Sequence, residues 1–117
     1  MGFFDNIQDK QQQKLKIELE KFLLEDEIID HFFMAKEDFG ALTDKRLIFV
    51  DKSLFSNKKS IVGVPFKKIN AVGVKRGGTF YISKEIIIMI GSQALEIDTY
   101  DENQAIDIYK RISSKIL

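Results

Sequence analysis

The feature that most constrains the fold of this chain is a series of short β-prone segments, separated by turn residues and followed by an amphipathic helix. Apolar and aromatic runs recur between residues 28 and 99, and glycine, asparagine, aspartate and serine interrupt them. We count eight such segments, of which Thr79 to Ile82 is the weakest and extends a neighbour. Short strands in close succession are typical of an antiparallel meander, and one terminal helix can close its open end. The sequence therefore predicts a mainly β domain of the α+β class.

A helix is also predicted near the N-terminus. Residues 9–25 carry an apolar stripe with a 3.6-residue period, formed by Leu15, Leu19, Phe22 and Leu23. Phe3, Phe4 and Ile7 precede this stripe, where they indicate a separate apolar turn.

The predicted C-terminal helix has clear start signals. Thr99 with Glu102, or Asp101 with Gln104, has the spacing of a capping box or a close relative of one. The residues that follow place apolar side chains on one face, at Ala105, Ile108, Tyr109, Ile112 and Ile116. We expect this helix to pack against the sheet.

Composition and chain length restrict the number of domains, the available cysteine chemistry and the expected cellular location. The 117 residues suffice for one domain, and the absence of cysteine excludes disulfides, thiolate nucleophiles and sulfur-ligated metal. The longest apolar run, Ile86 to Ile90, is far shorter than the roughly 20 residues that a membrane-spanning helix needs. The N-terminal residues lack the basic and apolar regions of a signal peptide. We therefore expect a cytoplasmic protein.

Candidate catalytic residues are few, and each has a simpler structural explanation. His31 is the single histidine and lies in an apolar segment, which favours a structural role over a catalytic or metal-binding one. Glu96 and Asp98 alternate with apolar residues, as expected for the solvated face of a strand. We expect a non-enzymatic protein without a metal or another cofactor.

One stretch of the chain resembles a known family. Residues 40–52, with the block Thr43-Asp44-Lys45-Arg46-Leu47, are similar to the second and third strands of bacterial pleckstrin-homology (PH) domains. Residues 60–74 and 96–112 resemble later strands and the closing helix of that family. The resemblance implies a PH-like barrel of two near-orthogonal antiparallel sheets, about seven strands in all, capped by a C-terminal helix. It also implies a helical extension over 1–26, a domain over 27–117 and ring-like or dome-like homo-oligomers.

The charges are unevenly distributed, although the net charge of the chain is zero. Residues 44–76 hold nine basic and two acidic residues, whereas residues 1–43 hold five basic and ten acidic ones. This segregation is compatible with a basic patch for an anionic partner, with complementary surfaces between subunits, or with ordinary alternation of strand faces.

Lys52, Lys58 and Lys59 lie in the third inter-strand loop, which holds part of a phosphoinositide site in eukaryotic relatives of the fold. The first loop is acidic here and the sixth is uncharged, so a membrane-binding role is the alternative and not the main expectation. Nucleic-acid binding is not expected, because no exposed aromatic residues are interleaved with the basic pairs.

The chain has more apolar residues than a small monomeric barrel is expected to bury, which indicates self-association. Ile86, Ile88 and Ile90 belong to a run that is apolar at successive positions, although one face of a small barrel strand normally meets water. Phe3 and Phe4 likewise lack an obvious place in a compact barrel. We expect these five residues at an interface with another subunit or a partner; the alternative is that the N-terminal helix covers the strand within one chain. The predicted function is self-assembly with binding of a protein or peptide partner.

Overall fold

Two antiparallel sheets succeed one another along the chain, with one helix before them and one after. The computed structural model describes residues 3–36, 38–51, 60–76 and 82–117, and the side chains of residues 3–9, 51, 76, 82 and 83 are outside this description. The first sheet has the order β1-β2-β3-β4, with strands Ile29–Met34, Phe39–Thr43, Arg46–Asp51 and Ser60–Pro65. The second has the order β5-β6-β7, with strands Ala71–Arg76, Ile82–Ile90 and Gln93–Asp98. Helix α1 is Phe3–Glu20 and helix α2 is Glu102–Ile116.

This architecture confirms the predicted mainly β fold with a helix at each end. Every strand pair is antiparallel, and a 3₁₀ turn at Phe66–Lys68 leads from the first sheet toward the second. Strands β6 and β7 are joined by the two-residue turn Gly91-Ser92, in which Gly91 has a φ of 62° that favours glycine. Of the weak segment Thr79 to Ile82, Ile82 opens β6 and the other residues lie outside the described ranges.

Helix α1 begins and ends earlier than predicted. Phe3, Phe4 and Ile7 belong to its first turns, so the prediction of a separate apolar turn is wrong. After Glu20 the N–H groups of residues 21–23 bond to carbonyls three residues back, which tightens the chain into a turn and ends the helix. Phe22, predicted on the buried stripe, is therefore 48% exposed.

The main core lies between the two sheets and α2. It contains inward-facing residues of both sheets together with Ala105, Ile108 and Ile112 of α2, all three fully buried. These helix positions recur at three- and four-residue intervals, so one stripe of α2 packs on the core. The predicted apolar face of the C-terminal helix is confirmed at Ala105, Ile108, Ile112 and Ile116, whereas Tyr109, predicted on the same face, is 37% exposed.

A second, smaller core attaches α1 to the outer face of the first sheet. Leu19 is fully buried there against Phe39, Ala41, Ile48 and Val50, and Leu15 and Leu23 pack beside it. The first sheet is therefore covered on both faces, by the main core on one side and by α1 on the other. The described side chains of helix α1 thus pack on the first sheet, and none of them belongs to a cluster with the isoleucine-rich segment Ile86 to Ile90.

Strand β6 presents alternate residues to opposite sides of the second sheet. Ile86 and Ile88 are fully buried in the main core, and Ile90 packs against it. Ile87 and Met89 face the other way and are half-buried. The prediction that Ile86 and Ile88 lie at an interface is therefore corrected, because neither side chain has surface left for a partner.

Candidate functional site

Three adjoining cavities form a groove along strand β1, which we call the β1 groove. They have volumes of about 370, 460 and 340 Å³, and Gln12 of α1 lines all of them. Helix α1 forms one wall, β1 the floor and the first turns of α2 the opposite wall. The lining of the groove includes Gln12, Lys16, Phe32, Met34, Asp101 and Gln104.

The α2 wall is held by a ring of short-range hydrogen bonds. Asp101 is the N-cap of the helix, and its carboxylate accepts from the Gln104 N–H at 2.8 Å. The side-chain oxygen of Gln104 accepts from the Tyr100 N–H at 2.9 Å, so the pair acts as a relative of the capping box predicted from Asp101 and Gln104. The Gln104 amide nitrogen then donates to the Met34 carbonyl oxygen at 2.6 Å, which joins α2 to β1.

The floor of the groove is a strand edge. Strand β1 ends the first sheet and pairs with β2 alone. The Ala35 N–H donates to the Asp38 carbonyl, and in an antiparallel ladder such bonded pairs alternate with unbonded ones. In the register of β1 and β2, Phe33 pairs with Gly40 and is of the bonded kind, like Ala35. Phe32 and Met34 are of the unbonded kind, so their backbone N–H and C=O groups point away from β2 and into the groove.

His31 sits at the middle of the groove beside charged residues of α2. Its Nε2 lies 3.7 Å from Asp107 Oδ2, and Arg111 donates to the same carboxylate oxygen at 2.9 Å. Burial lowers the pKa of His31 below its usual 6.5, the Arg111 charge lowers it further, and the Asp107 charge opposes both. The half-buried ring also stacks on Phe33 with its centroid 6.3 Å away. The structural role expected for His31 stays a prediction.

This environment gives a prediction for the titration of His31. Because its pKa is lower in the folded chain than in the unfolded one, the unfolded state binds the proton more readily and stability falls as the pH drops below about 6.5. The chain has one histidine, so its NMR signals need no assignment. We expect Asp107→Asn to lower the His31 pKa further and Arg111→Gln to raise it. Shifts in the same direction would contradict this account.

A buried carboxylate fixes the chain between α1 and β1. The side chain of Glu27 is fully buried and accepts from Arg46 Nε at 2.9 Å and Arg46 Nη2 at 3.0 Å. It also accepts from the Thr43 hydroxyl at 2.6 Å and the Leu24 N–H at 3.0 Å. Arg46 in turn donates to the Phe22 carbonyl oxygen at 2.9 Å. This network ties the end of α1, and with it one wall of the groove, to the β2–β3 turn.

Thr43 and Arg46 belong to the block that resembles bacterial PH domains, but their shared partner Glu27 was not predicted from the sequence. Thr43 Oγ1 accepts from the N–H groups of Lys45 and Arg46, both at 3.0 Å, and closes the turn. Gly63 of β4 leaves room for the guanidinium, since a Cβ there would lie 2.7 Å from Arg46 Nη1. A charged residue next to a tight turn between apolar strands needs a counter-charge, which was the available signal for Glu27.

The predicted lysine and phenylalanine site residues fall outside the part of the chain whose side chains the structure describes. Lys52, Lys58 and Lys59 lie outside the described residues. Phe3 and Phe4 are in the first turn of α1, and their side chains are outside the description as well. The groove itself could not be predicted from the sequence, because its residues come from segments about 90 positions apart.

Elsewhere on the described surface, acidic residues form ion pairs or meet solvent. Glu96 and Asp98 are exposed, and Glu96 Oε1 lies 3.3 Å from Lys75 Nζ, as expected for the outer face of a strand. Among the described residues, no group of three or more His, Asp or Glu side chains is arranged to hold a metal ion. Within the same residues, no helix is both long and apolar enough to cross a bilayer.

Comparison with known sequences gives a consistent result. Uncharacterized protein YozO of Bacillus subtilis (strain 168) is 31% identical over 98 residues, which cover 84% of this chain and 82% of YozO. Uncharacterized protein YjqA of the same strain is 34% identical over 100 residues, which cover 81% of this chain and 80% of YjqA. Both are relatives over most of their length.

Solved structures and a family profile agree with these relatives. A pleckstrin homology domain from Shewanella amazonensis SB2B superposes with a TM-score of 0.70 at 28% identity, covering 90% of this chain and 97% of that one. A DUF1696 family protein with a pleckstrin-homology domain, from Shewanella loihica PV-4, gives 0.66 at 27% identity, covering 91% and 93%. The family profile described as Bacterial PH domain matches residues 1–116. This chain is therefore a member of the bacterial PH domain family, as the resemblance at residues 40–52 predicted.

Proposed function

We propose that this chain is a non-enzymatic interaction module that binds a protein partner in the β1 groove and also self-assembles. The observation that carries the proposal is the groove itself, where two helices flank a strand that has a single strand neighbour. Its lining combines glutamine amides with Phe32, Met34 and Tyr100. Aromatic side chains and methionine are enriched in surfaces that bind other proteins, and a strand edge in a groove is one of the recurring sites for an extended polypeptide.

The partner can be tested by blocking the groove. Gln12 is exposed and lines all three cavities, so Gln12→Trp should fill the groove without disturbing the core. Ile17→Trp is the matched control, since Ile17 is 61% exposed on the same helix and lines none of these cavities. The full chain is cross-linked in a protein extract and the products are separated by gel electrophoresis. The bands of the chain joined to a partner should disappear with Gln12→Trp and remain with Ile17→Trp. Equal bands from both variants would place the partner elsewhere.

Self-assembly is supported by the outer face of the second sheet. Ile87 and Met89 point away from the main core on this face, and exposed Ala71 and Ala94 pair with Met89 on either side. Such an apolar strip is commonly buried between subunits. Light scattering should therefore give an oligomer at micromolar concentration, which Met89→Lys should dissociate and Ser92→Lys in the adjacent turn should not. A wild-type monomer would refute this half of the proposal.

Anionic lipid is the second candidate, supported by the basic segment 44–76. Exposed Lys67 and Lys68 belong to its described part. Sedimentation with phosphatidylserine vesicles separates the two functions, because a protein-binding module should stay in the supernatant. Pelleting that is lost in a Lys58→Glu, Lys59→Glu double variant would favour the lipid function instead.

A further inference from the structure

The proposed protein-binding function can be made more specific, and the following inference depends on it. We propose that the β1 groove takes an extended polypeptide segment as an additional strand beside β1, oriented by Lys16 at one end and Asp101 at the other. The favoured segment carries an acidic side chain near Lys16 and a basic side chain near Asp101, about four residues apart.

The backbone of β1 supplies the first argument. Phe32 directs its N–H and C=O into the groove, and no hydrogen-bond partner for them occurs among the described residues. Outward backbone groups of a strand edge are satisfied most completely by another extended chain, which offers matching groups at the same spacing. A helix cannot supply this pattern, because its backbone groups are bonded internally.

The side chain of Gln104 supplies the second argument. Its amide nitrogen donates to the Met34 carbonyl oxygen at 2.6 Å, which is the bond that an added strand would make at that position. Likewise, the Lys36 N–H donates to the Asp98 carbonyl at 2.8 Å just beyond β1. The Met34 C=O and the Lys36 N–H are thus occupied within the chain. An added strand would therefore bond to the backbone of Phe32 and pass Met34 without a bond to its carbonyl.

The charges supply the third argument. Asp30 is paired with Lys115 and Asp107 with Arg111, both at 2.9 Å. Lys16 and Asp101 also line the groove, and neither forms a salt bridge with a described residue.

These two unpaired charges lie at opposite ends of the groove. Lys16 lines the cavity that contains Asp30, and Asp101 lines the cavity that contains Met34. The intervening strand residues span roughly 13 Å at about 3.3 Å per residue. Opposite charges at this separation complement a segment with one acid and one base, and they disfavour a multiply charged anion, which would face Asp30, Asp101 and Asp107.

The test begins with a library of random 12-residue peptides displayed on phage and selected on the full chain. Enriched peptides are synthesised, and their dissociation constants are measured by fluorescence anisotropy. We expect an acidic and a basic residue about four positions apart in the enriched set. Gln12→Trp should weaken binding at least tenfold, whereas Ile17→Trp should leave it unchanged.

Charge variants test the orientation. Lys16→Gln and Asp101→Asn should each weaken binding by about threefold to tenfold, and the asparagine keeps the helix cap intact. Lys14→Gln, an exposed lysine that lines none of the three cavities, is the control. A peptide in which the acidic residue is replaced by a neutral one should bind the Lys16→Gln variant and the wild-type chain with equal affinity, because the charge pair is then absent from both complexes.

An N-methyl scan of one enriched peptide tests strand addition itself. Methylation should abolish binding at alternate amides and leave the intervening ones unaffected, because alternate N–H groups face β1. A scan without this period of two would overturn the inference while leaving a protein-binding groove in place. Enriched peptides that bind Gln12→Trp normally, or no enrichment at all, would overturn both proposals. If Gln12→Trp dissociates the oligomer, the occupant is a second copy of this chain and the inference of a separate partner is wrong.

Discussion

Glu27→Gln is expected to lower the free energy of unfolding by about 3 kcal/mol, measured by urea denaturation at pH 7. The substitution removes the charge from a fully buried side chain and leaves the Arg46 guanidinium, which is 24% exposed, without its counter-ion. Exposed ion pairs contribute little because water screens them, but removal of one partner from a buried pair leaves an uncompensated charge. Glu25→Gln is the matched control, since Glu25 is exposed two residues away. Equal stability of the two variants would contradict the role given to the network.

The same carboxylate makes stability depend on acid pH. Burial alone would raise the pKa of Glu27, but hydrogen bonds from Arg46, Thr43 and Leu24 and the charge of Arg46 outweigh it and hold the pKa at about 2 instead of 4.5. A lowered folded-state pKa stabilises the fold fully above 4.5, and this contribution is lost as the pH falls toward 2. The loss amounts to about 3 kcal/mol at about 1.4 kcal/mol per pH unit. Glu27→Gln should lack this part of the pH dependence.

Leu19→Ala is expected to cost about 3 kcal/mol, the second large effect on stability. Leu19 is fully buried between α1 and the first sheet, where alanine would leave a cavity in a cluster of few residues. Ile17→Ala is the control, because Ile17 is 61% exposed and its loss should change stability by less than about 0.5 kcal/mol. Thermal or urea unfolding of both variants checks the difference.

Loss of Leu19 should also affect the β1 groove. Gln12 and Lys16 form its α1 wall, and they keep their positions only while the helix is packed. Leu19→Ala should therefore speed proteolysis within α1 and weaken binding of any peptide selected on the groove. Unchanged proteolysis and binding would mean that Leu15, Leu23 and the Glu27 network hold the helix without it.

Much of this fold could be predicted from local patterns and a resemblance. The cap at Asp101 and Gln104 was predictable because capping depends on residues three apart in sequence. The faces of β6 were not predictable, because a run that is apolar at every position lacks the alternation that distinguishes inside from outside. This is why Ile86 and Ile88 were assigned to an interface although they lie in the core.

The candidate site was beyond sequence reasoning for a different reason. Gln12, Phe32 and Gln104 meet only because α1 folds back over the first sheet and α2 returns beside β1. Their residue types are common on solvated surfaces, so none of them stands out alone. Glu27 could be predicted only in part, since Arg46 requires a counter-charge but the acidic stretch 25–27 offers three, and only the structure distinguishes Glu27 from exposed Glu25 and Asp26.

The bond from Gln104 to the Met34 carbonyl has a consequence for solubility. A bare sheet edge invites copies of the same protein to stack without limit, as in fibrils. Here the Gln104 side chain occupies one position of the β1 edge, and helices α1 and α2 flank that edge. Because the Gln104 side chain and the flanking helices restrict access to this edge, we expect the protein to resist the unlimited stacking of sheets that leads to fibrils.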